Sequence, residues 1–367
     1  MKNLIHIVNG NRMAGAQQYA LDICRHYRQK GWNVHALTCG AHAVDMKFAG
    51  AGIEVAHAPL RGLLDFTSVM RVAGFFRSIP KGETIVHVHR YRDAYTAAFA
   101  RNLAKRPDIK IVATRHAVRK GRDSRIFRKL YSLIDAHVFV SSLALERFCN
   151  SWKEGRIPIP EDKMFVLHDS LFLPDDFAPN PEPEKGPVTA IYHGPIAERK
   201  GLETLIDALM LMRDVKMRLV IAGTGNPDFL DRIRKRAMIR GVMPAIDWNT
   251  SCENPEELIG KAHFGVLPSV ESEAFGLGNL RYMACGRPQI CTRNGAQTEY
   301  LEDGVSALFV APADPATLAE SMTRLVIDTS LRRRMGEEAH KEFEKNLSWN
   351  IFTRKLDDIY EQCFRTT

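Results

Sequence analysis

The first residues able to do chemistry are glycines spaced as in loops that cradle phosphates. Gly10 and Gly15 stand five positions apart, as in a nucleoside-triphosphate loop, whose backbone N–H groups hold phosphate beside a Lys and a Ser or Thr that binds magnesium. Ala16 and Gln17 occupy those two places, so ATP or GTP hydrolysis of that kind is excluded. Gly223-Thr224-Gly225 follows an apolar run as a dinucleotide fingerprint would. Pro227 and Asp228 then stand where a third glycine and a continuing helix belong, which argues against a nicotinamide cofactor. The seven cysteines (Cys24, Cys39, Cys149, Cys252, Cys285, Cys291 and Cys363) form no C-x-x-C pair and are odd in number. They read as reduced thiols, with neither a zinc site nor a disulfide framework, and no metal is expected. Arg115, Arg119, Lys120, Arg122, Arg125, Arg128 and Lys129 crowd one short stretch of a chain whose net charge is +8. Such a cluster suits an anionic membrane surface or an anionic acceptor, and equally a solvated helix face. No nucleic-acid module surrounds it, so no nucleic-acid partner is expected.

The elements that must position these residues alternate regularly. At 367 residues the chain exceeds what one core usually supports, which predicts two domains. Leu4–Val8 is a short β-branched run that breaks at Asn9-Gly10 and gives way to a helical pattern through Tyr19, Leu21, Ile23, Cys24 and Tyr27. Strand-like runs recur at Val34–Thr38, Gly52–Val55, Thr84–His89, Lys110–Thr114 and Ala136–Val140. Strand and helix in alternation imply a parallel sheet covered by helices on both faces. Residues 173–188 carry five prolines and no periodicity, which reads as an interdomain connection. Beyond it the rhythm restarts with Val188–Gly194, a helix over Leu202–Met212, and strands at Arg218–Gly223, Phe264–Pro268 and Pro288–Thr292. In open sheets of this kind, ligands sit at the carboxyl ends of the strands. No eighteen-residue apolar run or leader pattern is present, so a cytoplasmic protein is expected.

Several motifs, taken together, resemble family 4 of the retaining glycosyltransferases. Gly15-Ala16-Gln17-Gln18 before a helix resembles that family's first-loop glycine, and Thr114-Arg115-His116 its Thr-x-His after a strand. His193-Gly194 through Glu198-Arg199-Lys200-Gly201 resembles its strand, loop and Lys-Gly helix start. Leu267-Pro268-Ser269, Glu273-Ala274-Phe275-Gly276-Leu277 and Met283-Ala284-Cys285-Gly286-Arg287-Pro288 resemble its donor-binding segment, with Asn294-Gly295, Glu299 and Asp303-Gly304 following in family order. Leu347-Ser348-Trp349 resembles the start of its last helix.

The resemblance implies an α/β chain of two Rossmann-like domains facing a cleft, the GT-B fold, with the C-terminal helix crossing back to the first domain. The implied boundaries are 1–178 for an acceptor-binding domain, 186–345 for a nucleotide-sugar-binding domain and 346–367 for the crossing helix. It implies donor contacts from Gly15, Gly194, Arg199, Lys200, Glu273, Phe275, Gly276, Leu277 and Arg281, with His116, Lys200 and Glu273 in catalytic roles. Physical reasons for these types exist independently. A glycine turn opening a helix offers free N–H groups to a diphosphate, a lysine there neutralises the departing diphosphate, and a carboxylate orients sugar hydroxyls.

Two positions depart from the family pattern. A second Glu, eight positions after the first, usually binds the nucleotide's ribose, and here it is Arg281; an Arg usually follows the strand-ending glycine, and here it is Pro195. Arginine accepts no hydrogen bond. Arg281 then either restores the positive charge missing at Pro195, assisted by Arg199, or marks a changed donor, or marks a non-catalytic sugar-nucleotide or partner-binding protein. The expected reaction is hexosyl transfer with retention from a UDP-, GDP- or ADP-linked donor, a substrate and not a cofactor, to a glycan, glycolipid or lipid-linked acceptor in bacterial surface polysaccharide or lipopolysaccharide assembly. Arg115, Arg119, Lys120 and Arg122 are the expected acceptor-side or anionic-surface residues, with peripheral contact at the inner membrane.

Overall fold

The computed structural model describes residues 2–62, 65–152, 157–184, 186–251 and 254–365. The chain forms two compact units, Met1–Asp169 with Phe352–Thr367, and Ser170–Ile351.

The first unit is built on a seven-stranded sheet of β1 (Asn3–Val8), β2 (Asn33–Thr38), β3 (Glu54–His57), β4 (Thr84–Val88), β5 (Ile109–Arg115), β6 (Ala136–Phe139) and β7 (Met164–Val166). Its order is β3-β2-β1-β4-β5-β6-β7, with every pair parallel. β1 and β4 are buried along their whole length, as a sheet covered on both faces requires. Ile5, Ile7, Val86, Val88 and Ile111 join Val72, Phe76, Ala97 and Ala100 of the covering helices in one core. Strand order reverses between β1 and β4, so the crevice at their carboxyl ends is where such a sheet receives a ligand.

The second unit repeats the plan with β8 (Val188–His193), β9 (Met217–Ala222), β10 (Ile246–Asn249), β11 (Phe264–Leu267), β12 (Gln289–Thr292) and β13 (Ala307–Val310). They lie in the order β10-β9-β8-β11-β12-β13, again all parallel. The doubly wound parallel sheets agree with the fold class expected from the sequence.

The boundaries differ from those read from the sequence. The proline-rich stretch is fastened to the second unit: Ser170 Oγ donates to Leu347 O at 2.6 Å, and Phe172 meets Trp349 edge-on at 5.2 Å. Arg287 Nη2 donates to Pro181 O at 3.0 Å, and Glu182 pairs with Arg332. The helix Trp349–Arg365 joins the first unit only from Phe352, with Phe352, Leu356, Ile359 and Tyr360 buried and Asp357 accepting from Tyr27 Oη at 2.8 Å. Six cysteines are free thiols, as expected, and Cys252 lies outside the described residues.

Candidate functional site

In the second unit, three strand-end loops bring the expected donor-side residues together. After β8 the chain turns through Gly194 and Pro195 into a short helical turn, Glu198–Lys200, and then into the helix Leu202–Leu211. Gly201 joins the two with φ of 70°. A Cβ there would lie 1.9 Å from Pro268 O, so only glycine lets the Lys200 turn close on the loop after β11. Lys200 is buried, and its Nζ pairs with Glu273 Oε1. Ser269 Oγ donates to the same carboxylate oxygen. Arg199 is exposed, and its carbonyl accepts from Val270 N at 2.9 Å.

The loop carrying Glu273 is held from below. Thr292 Oγ1 and Asn294 Nδ2 donate to Ser269 O at 2.7 and 2.8 Å, and Ala296 N donates to Glu273 O at 3.0 Å. Gly276, with φ of 98°, caps the helix Leu277–Ala284. Tyr300 Oη donates to Phe275 O, which fixes Phe275 in the interior. The N–H groups of the first turn at Leu277 therefore open that helix beside the Glu273 loop, an arrangement suited to an anion.

Arg281 lies in the last turn of the same helix, where its guanidinium pairs with Glu256. Glu256 comes from the helix Pro255–Gly260, and nothing in the sequence spacing singled it out. His193 ends β8; burial first, and then the Arg281 charge, push its pKa down to about 4. Pro195 O accepts from Tyr192 Oη at 2.6 Å, so Pro195 shapes the turn without supplying charge.

In the first unit, Gly15 opens the helix Gly15–Gln29 after β1. His116 follows β5, and the structure places it in a chain of imidazoles. His89 Nδ1 lies 3.1 Å from His116 Nε2, and His89 Nε2 lies 3.0 Å from His6 Nδ1. His87 stacks on His6 and His89 at 4.9 and 5.0 Å. Its own nitrogens are engaged by Tyr360 Oη and Thr114 Oγ1, each at 2.6 Å. Tyr19 abuts His116 edge-on at 4.9 Å. Burial depresses the pKa of His6, His87 and His89 well below the ordinary value and that of His116 to about 4, so the cluster is neutral at physiological pH. The rings face one another in sequence instead of converging on one point. The sequence signal for the partners of His116 is the pair His87-Val88-His89 at a strand's carboxyl end, which on its own reads as strand pattern.

The basic segment divides in two. Arg115 turns inward: Nη2 donates to Arg119 O at 2.6 Å and Lys120 O at 3.0 Å, and its guanidinium stacks 5.5 Å from Tyr91 and 5.1 Å from Phe148. Contrary to the sequence reading, it holds the loop rather than an anionic surface, because aromatic rings and carbonyls surround it. Arg119, Lys120, Arg122, Arg125 and Lys129 are exposed, as is Ile126, while Arg128 pairs with Asp123 at 2.7 Å.

Comparison with known proteins follows the two units. Residues 13–168 match the model described as glycosyltransferase family 4, and residues 174–342 that of glycosyl transferases group 1. An uncharacterized glycosyltransferase of Methanocaldococcus jannaschii is 29% identical over 47% of this chain and 47% of its own length. The phosphatidyl-myo-inositol mannosyltransferase of Mycobacterium leprae is 24% identical over 95% of this chain and 92% of its own. The chain thus spans about half the length of the first of these relatives and most of the second. A glycosyltransferase structure from Rickettsia africae superposes with TM-score 0.84 at 18% identity, covering 100% of this chain and 99% of that one. Anabaena HepE in complex with UDP-glucose superposes with TM-score 0.78 at 14% identity, covering 98% and 99%. These two likenesses show the shared fold.

Proposed function

The chain belongs to the group 1, family 4 glycosyltransferases, and on that premise we propose that it transfers a hexosyl group, with retention, from a nucleotide-sugar to an acceptor hydroxyl. The observation carrying this reading is the Lys200–Glu273 pair, set beside a glycine-capped helix start in the unit that matches the group 1 model. In the reaction, the bond from the anomeric carbon to the diphosphate breaks and a bond to the acceptor oxygen forms. The acceptor's proton leaves with the diphosphate. Lys200, Arg199 and the N–H groups at Leu277 stabilise the charge that develops on the leaving group, the role a metal ion plays elsewhere. Glu273 orients the sugar through its hydroxyls, Phe275 and Gly276 fix that loop, and Gly194 lets the strand end pass close to the donor. Gly15 and His116 are the residues of the first unit to which a substrate contact is assigned. Arg281 is paired with Glu256 and is assigned no direct contact with the donor.

A uridine diphosphate donor is favoured over GDP- and ADP-linked ones, since HepE, of like fold, was solved with UDP-glucose. The exposed cations at Arg119, Lys120 and Arg122 favour an anionic or lipid-linked acceptor, met at the inner face of a bacterial membrane during surface polysaccharide or lipopolysaccharide assembly. No described helix is long and apolar enough to cross a membrane, so such contact would be peripheral.

The test is calorimetric titration with UDP, GDP and ADP and their sugar conjugates, followed by product analysis. A ligand at a hundred times its Kd stabilises by about 2.7 kcal/mol, so thermal shifts rank the donors first. Binding of one nucleotide family with sugar transfer supports the reading. Binding without transfer or hydrolysis supports the non-catalytic reading that Arg281 and Pro195 suggest, and no binding at all overturns the donor assignment.

A further inference from the structure

We propose that His89 and His6 are positioning residues that set the tautomer of His116, so that His116 offers Nδ1–H, a donor, to the substrate. The role of His116 toward substrate rests on the function proposed above; its tautomer does not.

A neutral imidazole carries one N–H and one bare nitrogen. The links from His6 Nδ1 to His89 Nε2, at 3.0 Å, and from His89 Nδ1 to His116 Nε2, at 3.1 Å, each need one hydrogen. With all three rings neutral, a choice at one end runs through to the other. If His89 Nε2 donates to His6 Nδ1, the hydrogen of His6 must sit on Nε2, and His89 Nδ1 then accepts from His116 Nε2–H. If His6 Nδ1 donates instead, His89 Nδ1 donates to His116 Nε2, and His116 carries its hydrogen on Nδ1.

The far end of the chain decides between them. His6 Nε2 is buried and has no hydrogen-bond partner among the described residues. The first arrangement buries an unpaired N–H there, and the second a bare nitrogen. Orphaned buried donors are the rarer in proteins, and any unmade hydrogen bond in the interior is costly. The second arrangement therefore prevails, and it ends in an Nδ1–H on half-buried His116. Such a donor suits a sugar hydroxyl or phosphate oxygen and cannot serve as a base. His87, spent on Tyr360 and Thr114 and stacked on both His6 and His89, keeps the ring planes in register.

Long-range proton–nitrogen correlation spectra of protein labelled with nitrogen-15 in histidine read the tautomers directly, with no ligand present. The expected result is His116 wholly as Nδ1–H in the unaltered protein, a tautomer mixture in His89→Ala, and recovery in His89→Asn, whose amide can donate from the place of Nδ1. His116 found as Nε2–H in the unaltered protein overturns the proposal without needing any variant, as does an unchanged Nδ1–H in His89→Ala. Once transfer is measurable, His89→Ala should lower kcat about tenfold with donor KM unchanged, and His89→Asn should recover most of it. Equal rates in the two variants would overturn the positioning role. Failure to bind any donor would sink the proposed function and leave the spectra as they are.

Discussion

Lys200 Nζ and Glu273 Oε1 form an ion pair within the second unit, with side chains only 10% and 15% exposed, and Ser269 Oγ donates to that same oxygen. Each charge is thus held in place before any ligand arrives, which is what a site stabilising developing charge requires. Lys200→Ala should lower kcat by roughly 100- to 1,000-fold. It should also cost about 1–3 kcal/mol of stability by leaving a carboxylate unpaired. Adding Glu273→Gln should recover stability and leave the rate low. Thermal unfolding and initial rates on the parent, the two single variants and the double variant check this, and a Lys200→Ala rate within threefold of the parent would refute the assignment.

Gly201 permits that pair by its backbone. Its φ of 70° and the 1.9 Å that would separate a Cβ from Pro268 O both forbid a side chain. Gly241 has the same φ of 70° with nothing within 4 Å of its Cβ position. Gly201→Ala should therefore cost at least about 2 kcal/mol more than Gly241→Ala, a further Tm loss of roughly 4–8 °C. Only the first should lower the transfer rate. Equal Tm losses would mean that the contact with Pro268 contributes nothing.

Sequence reading captured the parts of this molecule that rest on local pattern. Strands buried on both faces, such as β1 and β4, announce themselves as largely β-branched runs interrupted only by His6 and His87, and Glu198–Gly201 and Glu273–Leu277 are contiguous motifs. Three short edge strands, β7, β10 and β13, escaped because a run of three or four residues carries little periodicity, whether wholly apolar as in β7 and β13 or mixed as in β10. The Arg281–Glu256 pair, the inward turn of Arg115 and the His6–His89–His116 chain escaped for another reason. Each joins residues from different elements, separated by 25 positions in the first case, and only tertiary packing brings them together. The proline-rich stretch was legible as irregular but not as part of the second unit, since what fixes it is contact with Leu347, Trp349 and Arg332.

The Arg281–Glu256 pair leads to a prediction opposite to simple charge restoration. A guanidinium already paired in the protein has little left for a diphosphate, so Arg281→Ala should change nucleotide affinity by less than about threefold while lowering Tm through the unpaired Glu256. Glu256→Gln should free the guanidinium and tighten diphosphate binding. Titration calorimetry with the preferred nucleotide decides: a tenfold or greater loss in Arg281→Ala would give the phosphate contact back to Arg281.

The exposed cations Arg119, Lys120 and Arg122 should bind anionic surfaces. Replacing Arg119, Lys120 and Arg122 together by glutamine should weaken partition onto phosphatidylglycerol vesicles on the order of 100-fold, at about 1 kcal/mol per charge. Nucleotide binding should be untouched. Cosedimentation at rising salt provides the check, and binding by the parent that ignores both salt and the substitutions would remove the electrostatic account.

Asp169 gives the last prediction, on pH. Burial raises its pKa to about 7 from the usual carboxylate value of 3.8, and one of its oxygens has no hydrogen-bond partner among the described residues. The folded protein therefore keeps a proton that the unfolded chain releases between about pH 4 and 7, so this group's contribution to stability is complete below that window and lost as pH rises through it. The buried histidines act oppositely. With pKa values pushed down to about 4 at His116 and about 3 at His137, they hold fewer protons folded than unfolded, and stability falls as pH drops below about 6.5. The two slopes overlap and partly cancel in the parent, which makes a single pH profile uninformative. The difference between parent and Asp169→Asn isolates the carboxyl: the advantage of the variant should grow from about pH 4 to 7, by at most about 1.4 kcal/mol per pH unit, and level off above. Denaturant unfolding at four or five pH values measures it, and a difference that stays flat across that window would show Asp169 ionised in the folded protein.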